Sequence, residues 1–426
     1  MLDSSNELLE IQKLQFRDRQ GAELRLAAHL RILGMSDVEN LTLNVKPESL
    51  NSINGIATFS DGSKLFFKSH IEENEKLSEY YNSQLLADAG YPMVLPKRIK
   101  TTPGEQIAFY DIISFPTLFD LTYAEELNQL NTQTCTSIAP RLVSAQESLD
   151  QNLFQIYQTT FANQGSSSST SSPIHQLFSE RLSPDGRLGM FYLGKKLSFK
   201  ENQIPIASFF GLRWRINGVD YQDSIADLIA RAQRELNPAL KHPTIIGHGD
   251  AHNGNVFWDD QNDALLYFDP AFAGRHSPLL DLTKPFFHNV FAKWMYFPDA
   301  VSKSFSLSYK IKGNTIELEH SFLPSSLRRK YFDSKINYLL KPILQELQSR
   351  DELPNNWRDF LKSALFCCPL LTVNLAANFN STGKLAETYP ENIKLLGFAM
   401  AIEMGANFLK GSSSMRELCE QIENAA

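Results

Sequence analysis

The chain has 426 residues, 42% of them hydrophobic and 21% charged, which is enough for a core divided between two domains and excludes a disordered or collagen-like chain. Forty-one lysines and arginines against 48 aspartates and glutamates leave a net charge of −7, and no long basic run offers itself to a polyphosphate, so nucleic acid is not an expected partner. The four cysteines form no C-x-x-C pair, residues 1–10 lack a basic, apolar leader, and no stretch reaches the ~20 apolar residues of a membrane span; a reducing cytoplasm and no membrane partner are expected.

Residues 1–45 read as a helical leader, with Leu8, Leu9, Ile11 and Leu14, then Leu24, Leu26, Ala27, Leu30 and Ile32, at helical spacing. Residues 41–45, 56–59 and 64–68 read as strands, the last two joined by the Asp61-Gly62 turn of an antiparallel hairpin. A helix over 72–89 stops at Gly90 with Pro92 beyond, and 106–113 is strand-like up to Ser114-Phe115-Pro116. A boundary near residue 115 divides this part from a remainder that reads as mostly helical, including 327–347 and 357–377. That remainder also holds a Ser-rich surface loop at 164–172 and a hairpin around Lys312-Gly313-Asn314.

The chemistry concentrates in residues 244–281. Short apolar runs at 256–258 and 264–268 flank the polar 259–263, the pattern of an antiparallel hairpin. Pairing symmetric about Asn262 sets Asn255 opposite Asp269, where Cβ atoms lie about 4.5–5.5 Å apart. Two oxygen-bearing side chains so placed suit Mg²⁺, which takes one or two protein ligands together with substrate phosphates. Asp250, on a Gly-rich loop five residues before Asn255, suits a base that orients an attacking hydroxyl.

The pattern His248-x-Asp250-x-x-x-x-Asn255 followed by Asp269 resembles the catalytic loop and metal-binding aspartate of aminoglycoside phosphotransferases and choline kinases, the small-molecule branch of the protein-kinase-like fold. The resemblance implies Asp250 as catalytic base, Asn255 and Asp269 as Mg²⁺ ligands, His248 as scaffold, and Asp281 as the buried brace of the loop. More faintly it implies Lys68 on the α/β-phosphates of ATP, paired with Glu79 or with Glu75 one turn earlier. Ser52 and Asn54 would lie in a phosphate-covering loop, 51–55, and Ile113 to Phe115 would form the hinge that meets adenine. The implied fold is α+β and two-lobed, a small antiparallel-sheet lobe over 1–115 and a mostly helical lobe over 116–426. The implied activity is transfer of the γ-phosphoryl group of ATP to a hydroxyl of a small, amine-bearing metabolite or antibiotic. Asp269 is followed by Pro270-Ala271, and only eleven residues separate it from Asp281, too few for the peptide platform of a protein kinase.

Plainer readings accompany these. His248, Asp250 and His252 form an H-x-D-x-H cluster that would suit a metal-dependent phosphoesterase, given further ligands. A kinase-like nucleotide-binding module without catalysis would carry the same fold. Taken singly, Lys68 and Glu79 are solvated charges, His252 a hydrogen-bonded structural residue, Asp281 a cap for a helix from Leu282, Arg275 and His276 a solvated loop, and Glu403 an exposed helix position.

Overall fold

The computed structural model describes residues 4–44, 52–70, 79–100, 102, 105–130, 137–163, 170–199, 202–259, 261–377 and 389–425. The chain divides into two compact units, one of 1–88, 92–115 and 268–271, the other of 89–91, 116–267 and 272–426.

In the first unit, α1 (Ser4–Leu14) and α2 (Arg19–Ile32) pack on an antiparallel sheet of β1 (Val38–Leu43), β2 (Ser52–Phe59), β3 (Lys64–His70), β4 (Arg98–Lys100) and β5 (Ile107–Tyr110), ordered β1-β2-β3-β5-β4. Leu26 and Leu30 of α2 meet Ile53, Phe59, Phe67 and Phe109 in a dry core, each side chain contributing about 1.5–3 kcal/mol. Gly62 takes φ +80° in the β2–β3 turn, where Asp61 Oδ1 accepts the Ser63 N–H at 2.9 Å. The helix before Gly90 is described from Glu79 to Asp88, as α3.

Ser52 and Asn54 correct one expectation: they lie within β2, not in a loop. Asn54 pairs with Lys68 in the ladder, and its carbonyl accepts the Asn44 N–H at 2.8 Å. Gly55 serves that sheet, since a Cβ there would come 2.2 Å from the carbonyl oxygen of Thr42. Asn51 lies outside the described residues.

The second unit carries α4 (Leu118–Leu130) and α5 (Ala139–Thr160), then more sheet than its sequence suggests. Strands β6 (Arg213–Ile216) and β7 (Val219–Tyr221) turn on Asn217-Gly218, with φ of +50° and +79°. They are followed by α6 (Ile225–Glu235), β8 (Ile245–Gly247), β9 (Val256–Asp259), β10 (Ala264–Tyr267), β11 (Gly274–His276) and α7 (Thr283–Val290). Strands β12 (Leu307–Lys312) and β13 (Thr315–His320) then complete a five-stranded sheet, β12-β13-β6-β7-β14, whose last member β14 is Phe408–Lys410. The run read as one helix over 327–347 is α8 (Ser326–Ser334), a π-helical turn Lys335–Leu340, and α9 (Lys341–Ser349) opening on Pro342, whose missing N–H breaks the α-helical ladder.

Helices α10 (Trp357–Leu371) and α11 (Glu391–Gly405) are buried nearly all round. Glu403 is among the buried residues, contrary to the exposed position expected, and its Oε1 lies 3.4 Å from Nε2 of an equally buried His320. No helix among the described residues is long and apolar enough to cross a membrane.

Candidate active site

The loop His248-Gly249-Asp250 leaves β8, which pairs antiparallel with β11 so that Gly247 faces Gly274. Gly247 admits Asp281: a Cβ there would sit 2.5 Å from Asp281 Oδ1 and 2.4 Å from His276 Nε2. Gly249 has φ +81°, and a Cβ on it would meet the carbonyl oxygen of Phe272 at 2.3 Å, so the turn accepts only glycine.

Asp281 is fully buried. Its Oδ1 accepts the Gly249 N–H at 2.6 Å and lies 2.7 Å from His276 Nε2, while Oδ2 accepts the Tyr157 hydroxyl. Burial pushes the carboxyl up, but the bonds from His276, Tyr157 and Gly249 outweigh it and hold the group below its ordinary value. Asp281 therefore braces the loop and caps no helix. His276 is a buried partner of this carboxylate, and Arg275 donates to the Thr160 carbonyl at 2.9 Å, so neither belongs to a solvated loop.

His248 is buried, with the rings of Tyr91 and Tyr267 at centroid distances of 6.4 and 5.7 Å. His252 accepts the Gly254 N–H on Nδ1 at 3.0 Å, capping the single 3₁₀ turn Asn253–Asn255. Asn253 is tied to two helices: its N–H donates to Asn289 Oδ1 at 2.8 Å and its Nδ2 to Gln146 Oε1 at 3.1 Å. Neither Gln146 nor Asn289 carries a motif, and each acts through a neighbour distant in sequence.

On this held loop, Asn255 Nδ2 donates to the Asp250 carbonyl at 2.9 Å, which directs its Oδ1 elsewhere. Asp250 Oδ1 is buried without a hydrogen bond among the described residues, and Oδ2 lies 3.7 Å from His252 Nε2. A carboxylate oxygen so presented can accept a proton from an incoming group.

The β9–β10 register corrects another expectation. Val256 pairs with Tyr267 and Asp259 with Ala264, a loop of four residues in which Asp259 Oδ1 accepts the N–H groups of Gln261 and Asn262. The ladder is thus one residue out of the predicted symmetry and ends before Asn255 and Asp269, so those two are not a cross-strand pair. In the first unit, Asp269 has φ +59°, unusual for a residue with a side chain, and its Oδ1 lies 2.7 Å from Lys68 Nζ. The Lys68 pairing with Glu79 or Glu75 rests on side chains outside those described. Ile113 and Phe115 are half-buried in an irregular stretch.

No curated protein matches this chain. Solved structures that resemble it include a candidate fructosamine-3-kinase from Thermobifida fusca YX-ER1, 13% identical over 85% of this chain and 92% of its own, TM-score 0.37. A macrolide 2′-phosphotransferase type I is 12% identical over 80% and 94%, TM-score 0.34. A Plasmodium vivax ethanolamine kinase is 10% identical over 99% and 94%, TM-score 0.34. Superpositions this loose carry no residue-by-residue correspondence. A family model does match, over residues 207–306, and that stretch contains Asp250, Asn255, Asp269 and Asp281. The motif and the family model thus name one family for the segment that bears the braced loop, that of the phosphotransferase enzymes.

Proposed function

We propose that this chain is a small-molecule kinase of protein-kinase-like fold that transfers the γ-phosphoryl group of ATP, with Mg²⁺, to a hydroxyl of a small acceptor. The observation that carries the reading is Asp250: a carboxylate oxygen without a hydrogen bond among the described residues, on a loop fixed by Asp281 and Asn253. The acceptor oxygen attacks the γ-phosphorus, the bond from that phosphorus to the β-bridging oxygen breaks, and Asp250 takes the hydroxyl proton. Holding the loop rigid keeps that oxygen aimed, which is most of what this chemistry asks of a protein.

The donor set suits Mg²⁺. Asn255 keeps its amide oxygen for a ligand role because its Nδ2 is engaged by the Asp250 carbonyl, and Asp269 brings the one carboxylate such a site needs. Mg²⁺ when bound neutralises phosphate charge. Lys68, which supplies the positive charge beside Asp269 in this structure, is then the residue for the α/β-phosphates, with Glu79 to orient it. Ser52, Asn54, Ile113 and Phe115 complete the nucleotide-holding first unit, and the second unit takes the acceptor.

A phosphoesterase is disfavoured. His252 Nδ1 is occupied as a cap, His248 is packed against tyrosine rings, and no group of three potential ligands gathers among the described residues. The test is ATP consumption over a panel of hydroxylated amines, acids, sugars and antibiotics, with the wild type and Asp250→Asn. The variant should bind Mg-ATP normally and turn over roughly 10²–10⁴-fold more slowly. Near-normal turnover in a folded variant would remove Asp250 from the role of base.

A further inference from the structure

The two ring nitrogens of His252 stand in different settings. Nδ1 accepts the Gly254 N–H at 3.0 Å, the residue being the N-cap of the turn Asn253–Asn255 with φ −75° and ψ 161°. Nε2 lies 3.7 Å from Asp250 Oδ2, and both side chains are 18% exposed. Gly254 makes room for the ring, since a Cβ on it would come 2.7 Å from Cε1 and 2.9 Å from Nδ1 of His252.

The cap decides where the imidazole hydrogen sits. A hydrogen on Nδ1 would meet the one that Gly254 presents, so Nδ1 offers its lone pair and Nε2 carries the hydrogen. That N–H faces Asp250 Oδ2. The two oxygens of the carboxylate are thereby distinguished: Oδ2 faces a donor, and Oδ1 is buried without a hydrogen bond among the described residues. At 3.7 Å the contact is longer than a hydrogen bond, as contacts at reacting groups often are before substrate seats.

The ring is also held from behind. His288 of α7 is 2% exposed and packs against it, with centroids 5.4 Å apart and planes inclined by 32°. His288 Nε2 lies 3.2 Å from Nζ of Lys284, one turn earlier and 4% exposed, and its Nδ1 lies 2.6 Å from the Tyr296 hydroxyl. With both its nitrogens engaged, His288 cannot turn away, and the wall behind His252 is fixed.

We propose that His252 is a positioning residue for phosphoryl transfer: its Nε2–H holds Asp250 Oδ2, so that Oδ1 stays aimed at the acceptor hydroxyl. The proposal rests on the reading of Asp250 as the base. The last torsion of an aspartate side chain is broad, so a carboxylate held by nothing swings, and a donor on one oxygen narrows where the other points. One ring thus has two duties that chemistry can separate. The bond to Gly254 serves the turn, and the hydrogen on Nε2 serves the reaction.

The test uses two replacements that each keep one duty. Asn is a good N-cap whose side-chain oxygen can accept the Gly254 N–H but which does not reach Asp250; Gln is a poor N-cap whose amide nitrogen extends to where Nε2 lies. His252→Asn should lower kcat roughly 10- to 100-fold, the scale of a lost hydrogen bond to a charged group, with Mg-ATP affinity unchanged and Tm within about 1 °C of wild type. His252→Gln should keep kcat within roughly threefold of wild type while Tm falls by roughly 1–4 °C. In an Asp250→Asn background, His252→Asn should cost less than about twofold more, because the residue acts through Asp250. Unchanged kcat in His252→Asn overturns the proposal. So does a kcat that follows Tm, lower in His252→Gln than in His252→Asn, which would leave the ring a cap alone, or a full further loss over Asp250→Asn.

The rate is read on any acceptor of the panel, or as transfer to water, and a second readout needs no turnover. Two-bond ¹H–¹⁵N spectra of the histidine-labelled protein, with the His252 ring assigned through His252→Asn, report which nitrogen bears the hydrogen. The Nε2–H form, with an Nε2 resonance that moves in Asp250→Asn, supports the proposal. An Nδ1–H ring, or one indifferent to Asp250→Asn, overturns it. Near-normal turnover in Asp250→Asn, or failure of the wild type to bind Mg-ATP, would instead sink the kinase reading, so the two failures are distinguishable.

Discussion

Asp281 reaches across 32 residues of sequence to accept the Gly249 N–H at 2.6 Å, and the same carboxylate oxygen lies 2.7 Å from His276 Nε2. The backbone of the His248–Asp250 loop is therefore held by a buried charge rather than by a strand ladder. Asp281→Asn keeps the volume but turns an amide N–H₂ toward donors, and should cost about 3–5 kcal/mol, the scale of breaking a buried charge network. The carboxyl is held below its ordinary value, so its contribution is complete above the unfolded value of about 3.9 and lost as pH falls through the folded one. Urea unfolding should show a gap between wild type and variant that is constant from pH 8 to 5 and closes below about pH 4. A gap unchanged at pH 3 would mean that the group folds uncharged.

How much of this was legible divides along physical lines. Asp250, Asn255, Asp269 and Asp281 stand out because their residue types and spacing are dictated by local chemistry on one short stretch of chain. The Asp61-Gly62 hairpin is legible for the same reason, and Asn217-Gly218 is an equally plain turn signal whose flanking strands are too short to stand out in the sequence. Tyr157, Gln146 and Asn289 are not legible there, because each acts on a residue more than 30 positions away. The β9–β10 register was missed by one because two apolar runs do not say whether four or five residues turn between them; the Asp259 carboxylate, bonding Gln261 and Asn262, decides it. Glu403 reads as exposed because a lone charge is expected at the surface, whereas α11 is buried on nearly every side and has no polar face to carry it there.

Asn255 and Asp269 differ in what they can offer a cation, and the difference is measurable. A carboxylate binds Mg²⁺ more strongly than an amide oxygen, so Asp269→Ala should abolish the Mg²⁺-dependent part of ATP binding while Asn255→Ala weakens it. Lys68 loses its 2.7 Å partner in the first variant only. Calorimetric titration of ATP with and without Mg²⁺ separates the cases, and equal Mg-ATP affinity in wild type and Asp269→Ala would end the metal assignment.

His320 and Glu403 lie 3.4 Å apart with both side chains inaccessible. Burial disfavours the imidazolium, but the Glu403 charge prevails and His320 is raised above its ordinary 6.5. A raised histidine stabilises fully below its unfolded value, and the contribution is lost as pH rises through the folded one. His320→Gln should therefore destabilise by about 1–3 kcal/mol at pH 5.5 and by less at pH 9. Chemical denaturation at the two values checks this, and a larger loss at pH 9 would reverse the assigned sign.

Asp150 and Lys335 form a second buried pair, at 2.8 Å and with no exposure of either side chain. Asp150 also accepts from Ser334 at 2.8 Å and from Gln146 at 3.1 Å, and Gln146 in turn accepts from Asn253, three residues after Asp250. Lys335→Met would leave the carboxylate buried with two neutral donors and should cost about 3–5 kcal/mol, whereas Asp150→Leu with Lys335→Met removes both charges and should recover much of that. Because Gln146 holds Asp150 with its amide nitrogen and Asn253 with its amide oxygen, the same variants report on the loop. Lys335→Met should lower turnover with the KM for ATP unchanged, since the shift reaches Asn253 without touching Lys68. A double-mutant cycle on stability, run beside kcat for each variant, tests both halves. Coupling near zero would show that the pair contributes nothing as a pair, and full turnover in a destabilised Lys335→Met would show that Gln146 does not transmit the position of Asp150 to the loop.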